Sequence, residues 1–211
     1  MLFERIYCIN LDRRQDRWNE CQNEFDKLNI NVERFPAIEG NNRHRAFNKS
    51  QWSVLKKAVD EKLNCFLVLE DDIEFHNCDH LEDALKELPQ DFDLVYLGAN
   101  INGTPLERYS DHLFKIRNSF TTHAIGYSYK MATWIVENFP FHKDEYEFEG
   151  LTIYDEWLRV NVQEQFKCYL VAPMVAWQRK SFSDIWQNHA DYSKCFLDGN
   201  KLLGDTNRKK Q

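Results

Sequence analysis

Three consecutive carboxylates, Glu70, Asp71 and Asp72, follow directly on Cys65-Phe66-Leu67-Val68-Leu69, a run that is apolar at every position. Such a run fits a central strand covered by helices on both faces. In open α/β sheets ligands sit outside the carboxyl ends of the strands, which is where these acids fall. Adjacent carboxylates repel one another, so a fold keeps them together beside solvent or a cation. Their hard oxygens suit Mn²⁺ or Mg²⁺ held jointly with the phosphates of a substrate. A solvated turn is the plain alternative, but the position after a fully buried strand favours a site.

A second group follows the apolar run Ile6-Tyr7-Cys8-Ile9-Asn10-Leu11. Asn10, Asp12, Arg13, Arg14 and Arg17 stand at that strand's exit, where guanidinium forks could grip a nucleotide or a diphosphate. An Arg-rich first turn of a surface helix would look the same. Neither GxGxxG nor GxxxxGK[ST] occurs, so the dinucleotide and P-loop fingerprints are missing. His76 and His80, with Cys78 between them, invite a zinc reading but lack a second ligand pair at proper spacing. No G-x-S-x-G elbow supports a serine nucleophile.

The elements that must position these groups alternate along the chain. After the first strand, Trp18, Cys21, Phe25 and Leu28 recur at helical spacing. Val32 to Phe35 reads as a strand stopped by Pro36, and the polar stretch Glu39 to Lys49 as a loop. Ser50 is the expected N-cap of a helix carrying Trp52, Leu55, Val59 and Leu63. Asp79 with Glu82 suggests a capping box for a helix closed by Pro89. Phe92 to Leu97 and Leu113 to Ile116 read as strands, Ser128 and Thr152 as helix caps, and Cys168 to Val171 as a late strand. From about Ala176 the chain reads as aromatic-rich loop. The expectation is a single α/β domain over 1–200, with a mixed, mostly parallel central sheet, and a polar tail over 201–211.

The 211 residues, with 15 Phe, 9 Tyr and 6 Trp, suffice for a sizeable core and exclude disorder. A net charge of −7 argues against holding nucleic acid by its phosphates. No apolar run approaches the ~20 residues that cross a bilayer. Lys209 and Lys210 leave a peripheral membrane contact open, yet two charges are too few for stable attachment. The opening Met-Leu-Phe-Glu-Arg shows no signal-peptide pattern, and the six cysteines form neither CxxC pairs nor an even framework. The expected setting is cytoplasmic, with buried free thiols.

Taken in order, these segments resemble glycosyltransferase family 25, which includes lipooligosaccharide and collagen galactosyltransferases. The resemblance rests on Tyr7-Cys8-Ile9-Asn10-Leu11-Asp12-Arg13-Arg14 with Arg17, Arg34-Phe35-Pro36-Ala37-Ile38-Glu39-Gly40, and Leu67-Val68-Leu69-Glu70-Asp71-Asp72-Ile73-Glu74-Phe75. Asp93 to Gly98, Thr122-His123-Ala124, Tyr127 to Ala132, Pro173 to Gln178 and Ser183-Asp184-Ile185 complete it. It implies a GT-A-like nucleotide-sugar-binding domain. On it, Asp72 and Asp71 are the metal ligands, and Asn10, Arg13, Arg17, Glu70 and Asp71 bind the donor. His123 and Gln178 line the sugar or acceptor side.

The resemblance further implies inversion at the anomeric carbon, so a carboxylate should deprotonate the acceptor hydroxyl. Asp155, in Tyr154-Asp155-Glu156-Trp157, is the candidate, with Glu156 next; both also suit a helix's first turn by its dipole. One departure stands out. Where family members commonly carry Ser-His before the acidic strand, this chain has Ser50-Gln51. The reading is a metal-dependent transferase moving galactose or glucose from a UDP-sugar to a hydroxyl acceptor, a glycan above all. A non-catalytic nucleotide- or glycan-binding module on a decayed transferase fold is the alternative. A methyltransferase ranks lower, for want of a Gly-rich first loop.

Overall fold

The computed structural model describes residues 2–103, 106–141 and 153–205. The polar end of the expected tail, with Lys209 and Lys210, and the expected cap Thr152 lie outside the described residues. The first strand, β1 (Arg5–Asn10), is buried from Ile6 onward. Its alternating side chains serve two cores: Tyr7 and Ile9 enter one, Ile6 and Cys8 the other. The helix α1 (Gln15–Leu28) packs Cys21 and Phe25 into the second core. β2 (Glu33–Pro36) then pairs parallel with β1, with Pro36 as its last residue.

The helix α2 (Arg43–Asp60) begins well before Ser50. Asn42 is its N-cap, the side-chain oxygen accepting from the Arg45 N–H at 2.9 Å. Ser50 lies inside the helix, where its hydroxyl donates to the Ala46 carbonyl and accepts from the Ile38 N–H, both at 2.8 Å. The expected loop is therefore helical to within a few residues of Glu39. Its first turns hold only Ala46 and Phe47 as apolar residues, which hides the period.

β3 (Cys65–Glu70) and β4 (Ile73–Phe75) flank a tight turn made of Asp71 and Asp72. The short α3 (Leu81–Lys86) starts from His80 without a side-chain cap, so the expected Asp79–Glu82 box does not form. β5 (Leu94–Tyr96), β6 (Asn100–Ile101), β7 (Glu107–Arg108), β8 (Leu113–Lys115) and β9 (Ser119–Phe120) follow. β10 (Ala124–Ser128) leads into α4 (Tyr129–Asn138), where the Ser128 hydroxyl accepts from the Met131 N–H at 3.2 Å as a cap should. Helix α5 (Tyr154–Asn161) precedes β11 (Cys168–Val171).

The main sheet runs β2-β1-β3-β10-β5-β11-β8-β7. Among the described residues three of its pairings are parallel and four antiparallel, which overturns the mostly parallel expectation. The cause is local. β10 inserts in reverse between β3 and β5, and β8 in reverse between β11 and β7. β10 escapes a sequence reading because Gly126 interrupts it. The glycine is required there: a Cβ would stand 2.5 Å from the Phe3 ring and 2.7 Å from Val95.

The stretch after Ala176 is also ordered into elements. β12 (Ala176–Gln178) pairs antiparallel with β4, and β13 (Ser181–Ser183) with β14 (Asn188–Ala190). Helix α6 (Ser193–Asp205) closes the region, with Phe196 stacked on Trp177 at 5.7 Å between centroids. Phe196 is buried there, whereas Phe182 and Trp186 stay exposed, so no strong strand period marks the segment. Among the described residues no helix is long and apolar enough to cross a membrane.

Candidate functional site

A cleft of about 520 Å³ opens over the turn between β3 and β4. Its floor carries Glu70, Asp71 and Asp72; Arg13 comes from the turn before α1 and Arg17 from its start, Gln178 ends β12 and Arg179 follows it. Helix α2 forms a wall through Ala46, Phe47, Ser50 and Gln51, and the segment from β13 to Tyr192 forms the opposite rim. The acidic run and the basic exit of the first strand thus meet in one place. The parallel register of β1 and β3 makes them meet, since it sets Ile9 beside Glu70.

The three carboxylates have different surroundings. Asp71 is buried with both oxygens engaged: Oδ1 accepts from Arg17 at 2.6 Å and Oδ2 from the Asn10 amide at 2.8 Å. Asn10 is itself buried and accepts from Arg34 Nε at 2.8 Å. Arg17 also donates to the Ser181 hydroxyl at 2.7 Å and to the Phe182 carbonyl at 2.9 Å. The Asp71 carbonyl accepts from Arg179 at 2.7 Å and from the Cys21 thiol at 3.2 Å. Burial pushes the Asp71 carboxyl up, against the pull of the Arg17 guanidinium.

Asp72 is less tied. Its Oδ2 accepts from the Gln178 amide at 3.3 Å and stands 4.0 Å from Arg17, while Oδ1 is buried with no hydrogen-bond partner. Burial raises this carboxyl too, opposed by Arg17 and Arg179. Glu70 accepts on Oε1 from Gln51 at 3.1 Å and from the Thr122 hydroxyl. Burial, then the neighbouring Asp72 charge, pushes its carboxyl up to about 8.

Arg13 reaches the cleft from its rim, paired with Glu39 at 3.1 Å and Asp184 at 2.8 Å. Four of the sequence candidates stand back from the cleft. Asn10 lies behind Asp71. His123 is buried beneath the sheet's end, with Nε2 3.2 Å from the Ala176 carbonyl and Nδ1 without a partner. Burial lowers the His123 imidazole to about 4, so it is neutral and Nε2 donates. Gly98 permits this approach, because a Cβ there would fall 1.8 Å from the Ala176 oxygen.

Asp155 opens α5 and accepts from the N–H of Glu156 at 2.8 Å and of Thr121 at 3.3 Å. Burial raises its carboxyl, and its charge contributes to raising Glu70. Thr121 holds φ at 76°, strained for a β-branched residue, with its hydroxyl oxygen buried and unpartnered. Glu156 is clamped by Arg159 through bonds of 3.0 and 2.8 Å. Arg179, Ser181 and Tyr192 also line the cleft, and Gln51 stands out in the sequence only as a departure. Their places in the cleft depend on contacts with residues far away in the chain, and no local signal marks them.

Among the described residues no group of three or more His, Cys, Asp or Glu side chains could hold a metal ion, and His76, Cys78 and His80 make no zinc site. A divalent cation is compatible with the cleft in another way. The orphaned Oδ1 of Asp72 offers one carboxylate ligand, and Mg²⁺-type ions commonly take one or two carboxylates plus substrate phosphates.

Comparison with known proteins bears on this arrangement. Residues 3–55, which run from β1 into α2, match the model for glycosyltransferase family 25 (LPS biosynthesis protein). Over that segment the chain is similar to glycosyltransferase family 25. A family 25 member from Drosophila melanogaster is 27% identical over 160 residues, covering 59% of this chain and 26% of that protein. A procollagen lysyl hydroxylase and glycosyltransferase of Acanthamoeba polyphaga mimivirus is 26% identical over 255 residues, covering 98% and 28%. The chain spans about a quarter of the length of these relatives. Among solved structures, a glycosyltransferase involved in the glycosylation of the major capsid of PBCV-1 superposes with a TM-score of 0.44 at 8% identity, covering 72% of each chain.

Proposed function

We propose that the protein transfers a hexose, galactose or glucose, from a UDP-sugar to a hydroxyl of a glycan acceptor, with inversion and with a divalent cation. The observation that carries the reading is the unpartnered, buried Oδ1 of Asp72 on the floor of a cleft that also carries Arg13 and Arg17. Both Asp71 oxygens are committed to Arg17 and Asn10, so of the two aspartates of the turn Asp72 is the cation's carboxylate and Asp71 positions the turn. When bound, Mn²⁺ or Mg²⁺ would supply a Lewis acid for the diphosphate leaving group.

The chain's own residues do the rest. Arg13, at the rim and half exposed, offers donors to the donor's phosphates, and Gln178 steadies Asp72. Asp155 stands back from the cleft and both its oxygens accept from backbone N–H groups; it is nonetheless the better candidate for the base than Glu156, because Arg159 clamps Glu156 while burial raises Asp155. It takes the acceptor's hydroxyl proton as that oxygen bonds to the anomeric carbon, and the pair from the breaking C–O bond leaves on the diphosphate. His123 serves the fold of the sugar side rather than the substrate.

The test is calorimetric titration with UDP and other nucleotides, with and without Mn²⁺, on the wild type and on Asp72→Asn. The expected result is UDP binding that requires Mn²⁺ and fails in the variant. Failure of every nucleotide to bind the wild type would overturn the reading.

A further inference from the structure

Gln51 lies on the face of α2 that walls the cleft, and only 1% of its surface is exposed. Its Nε2 donates to Glu70 Oε1 at 3.1 Å, which fixes the orientation of the amide. The other end, Oε1, is buried and has no hydrogen-bond partner. A fold seldom leaves a buried amide oxygen unmet, because the lost hydration is not returned. An acceptor lacking its donor, at the floor of a cleft, points to an O–H or N–H supplied by a ligand.

Glu70 strengthens the case. It lines the same cleft, and its Oε1 takes both internal donors, Gln51 and the Thr122 hydroxyl. Gln51 and Glu70 are therefore two hydrogen-bonded side chains on one floor, the second next in sequence to the turn that carries Asp72. An amide acceptor beside a carboxyl group suits two neighbouring hydroxyls. If the diphosphate lies at Asp72, the hexose and the ribose both adjoin it; the hexose is favoured because Thr122, which donates to Glu70, follows Thr121, whose N–H donates to the proposed base Asp155.

We propose that Gln51, with Glu70, reads a hydroxyl of the donor hexose and so helps to set which sugar the protein accepts. This inference rests on the nucleotide-sugar reading above. It makes Gln51 a specificity-determining residue at a position where its family resemblance leads one to expect histidine.

The experiment titrates UDP, UDP-galactose, UDP-glucose and their monodeoxy forms into the wild type and Gln51→Met, with Mn²⁺ present. Gln51→Met should keep UDP affinity within about twofold and weaken the preferred UDP-hexose by roughly three- to tenfold, the effect of one hydrogen bond. On the wild type, one monodeoxy sugar should show the same loss, and on the variant that sugar should lose nothing more. The wild-type arm stands even if the variant does not fold, since equal binding of every monodeoxy sugar would overturn the inference. A loss of UDP affinity in a folded variant equal to the loss for UDP-hexose would also overturn it. No UDP binding to the wild type would remove the nucleotide reading and this inference together, whereas normal UDP binding with a flat sugar series would remove only this one.

Discussion

Arg17 and Asp71, 54 residues apart in the chain, meet at 2.6 Å with each side chain about nine-tenths buried. The pair is a joint between three parts of the molecule. Arg17 belongs to α1, Asp71 to the turn after β3, and the second guanidinium nitrogen holds Ser181 and Phe182 of β13. Two charges withdrawn from water cost desolvation energy that only complete hydrogen bonding offsets. Here the offset comes from Asn10 on the second Asp71 oxygen.

Breaking this joint should therefore be expensive. Arg17→Ala leaves a buried carboxylate without its counter-charge and should lower folding stability by about 3–5 kcal/mol. Urea denaturation measures it. Asp71→Asn should cost less, because the amide can still accept from Asn10 or Arg17 on one atom. A loss under ~1 kcal/mol for Arg17→Ala would mean the pair is solvated in solution.

The position of β10 offers a second measurement. Gly126→Ala puts a methyl against the Phe3 ring on one side of the contact and Val95 on the other. Overpacking of this kind costs about 1–3 kcal/mol. The double variant Gly126→Ala with Phe3→Leu should recover part of that loss. Without any recovery, the Phe3 contact is not what forbids a side chain there.

How much of this was legible in the sequence follows from range. The run Cys65 to Leu69 names a buried strand by composition alone, and its junction with Glu70-Asp71-Asp72 locates the floor of the cleft. Ser128 marks a helix start because its cap is a bond between residues three apart. The start of α2 was hidden because its first turns face the cleft and solvent, so no apolar stripe forms. The reversal of the sheet was hidden because strand direction is a property of partners, and β10 meets β3 and β5 far from either in sequence. Asn10, Arg17 and Asp71 stand out in the sequence as donor-binding candidates, but only coordinates reveal that Arg17 and Asn10 use both Asp71 oxygens. That difference separates a structural acid from a free one.

His123 gives a pH signature. Burial holds its folded pKa at about 4, against an ordinary 6.5. The unfolded chain therefore takes this proton first as pH falls. The stability contributed by the neutral imidazole is complete above pH 6.5 and erodes as pH falls toward 4, with roughly 3 kcal/mol at stake. Comparing the wild type with His123→Gln by denaturation across pH 4 to 8 isolates the residue. The stability difference should shrink as acid is added; a difference constant with pH would show that the imidazole is not held neutral.

Asp155 carries the most demanding prediction, because it has both a proposed chemical role and a visible structural one. It supports the N–H of Thr121, whose φ of 76° must be held by its surroundings. Asp155→Asn keeps an acceptor oxygen for that bond but cannot take a proton. As the base, it should lower kcat by about 10²-fold or more while the KM for UDP-sugar and the affinity for UDP stay near wild type. The acidic limb of the kcat pH profile should vanish with it. Thr121→Gly supplies the contrast, since glycine adopts the positive φ freely and leaves the carboxylate in place. If Asp155→Asn and Thr121→Gly lower kcat alike, with the acidic limb kept in both, Asp155 acts by holding the Thr121 segment and the proton goes elsewhere.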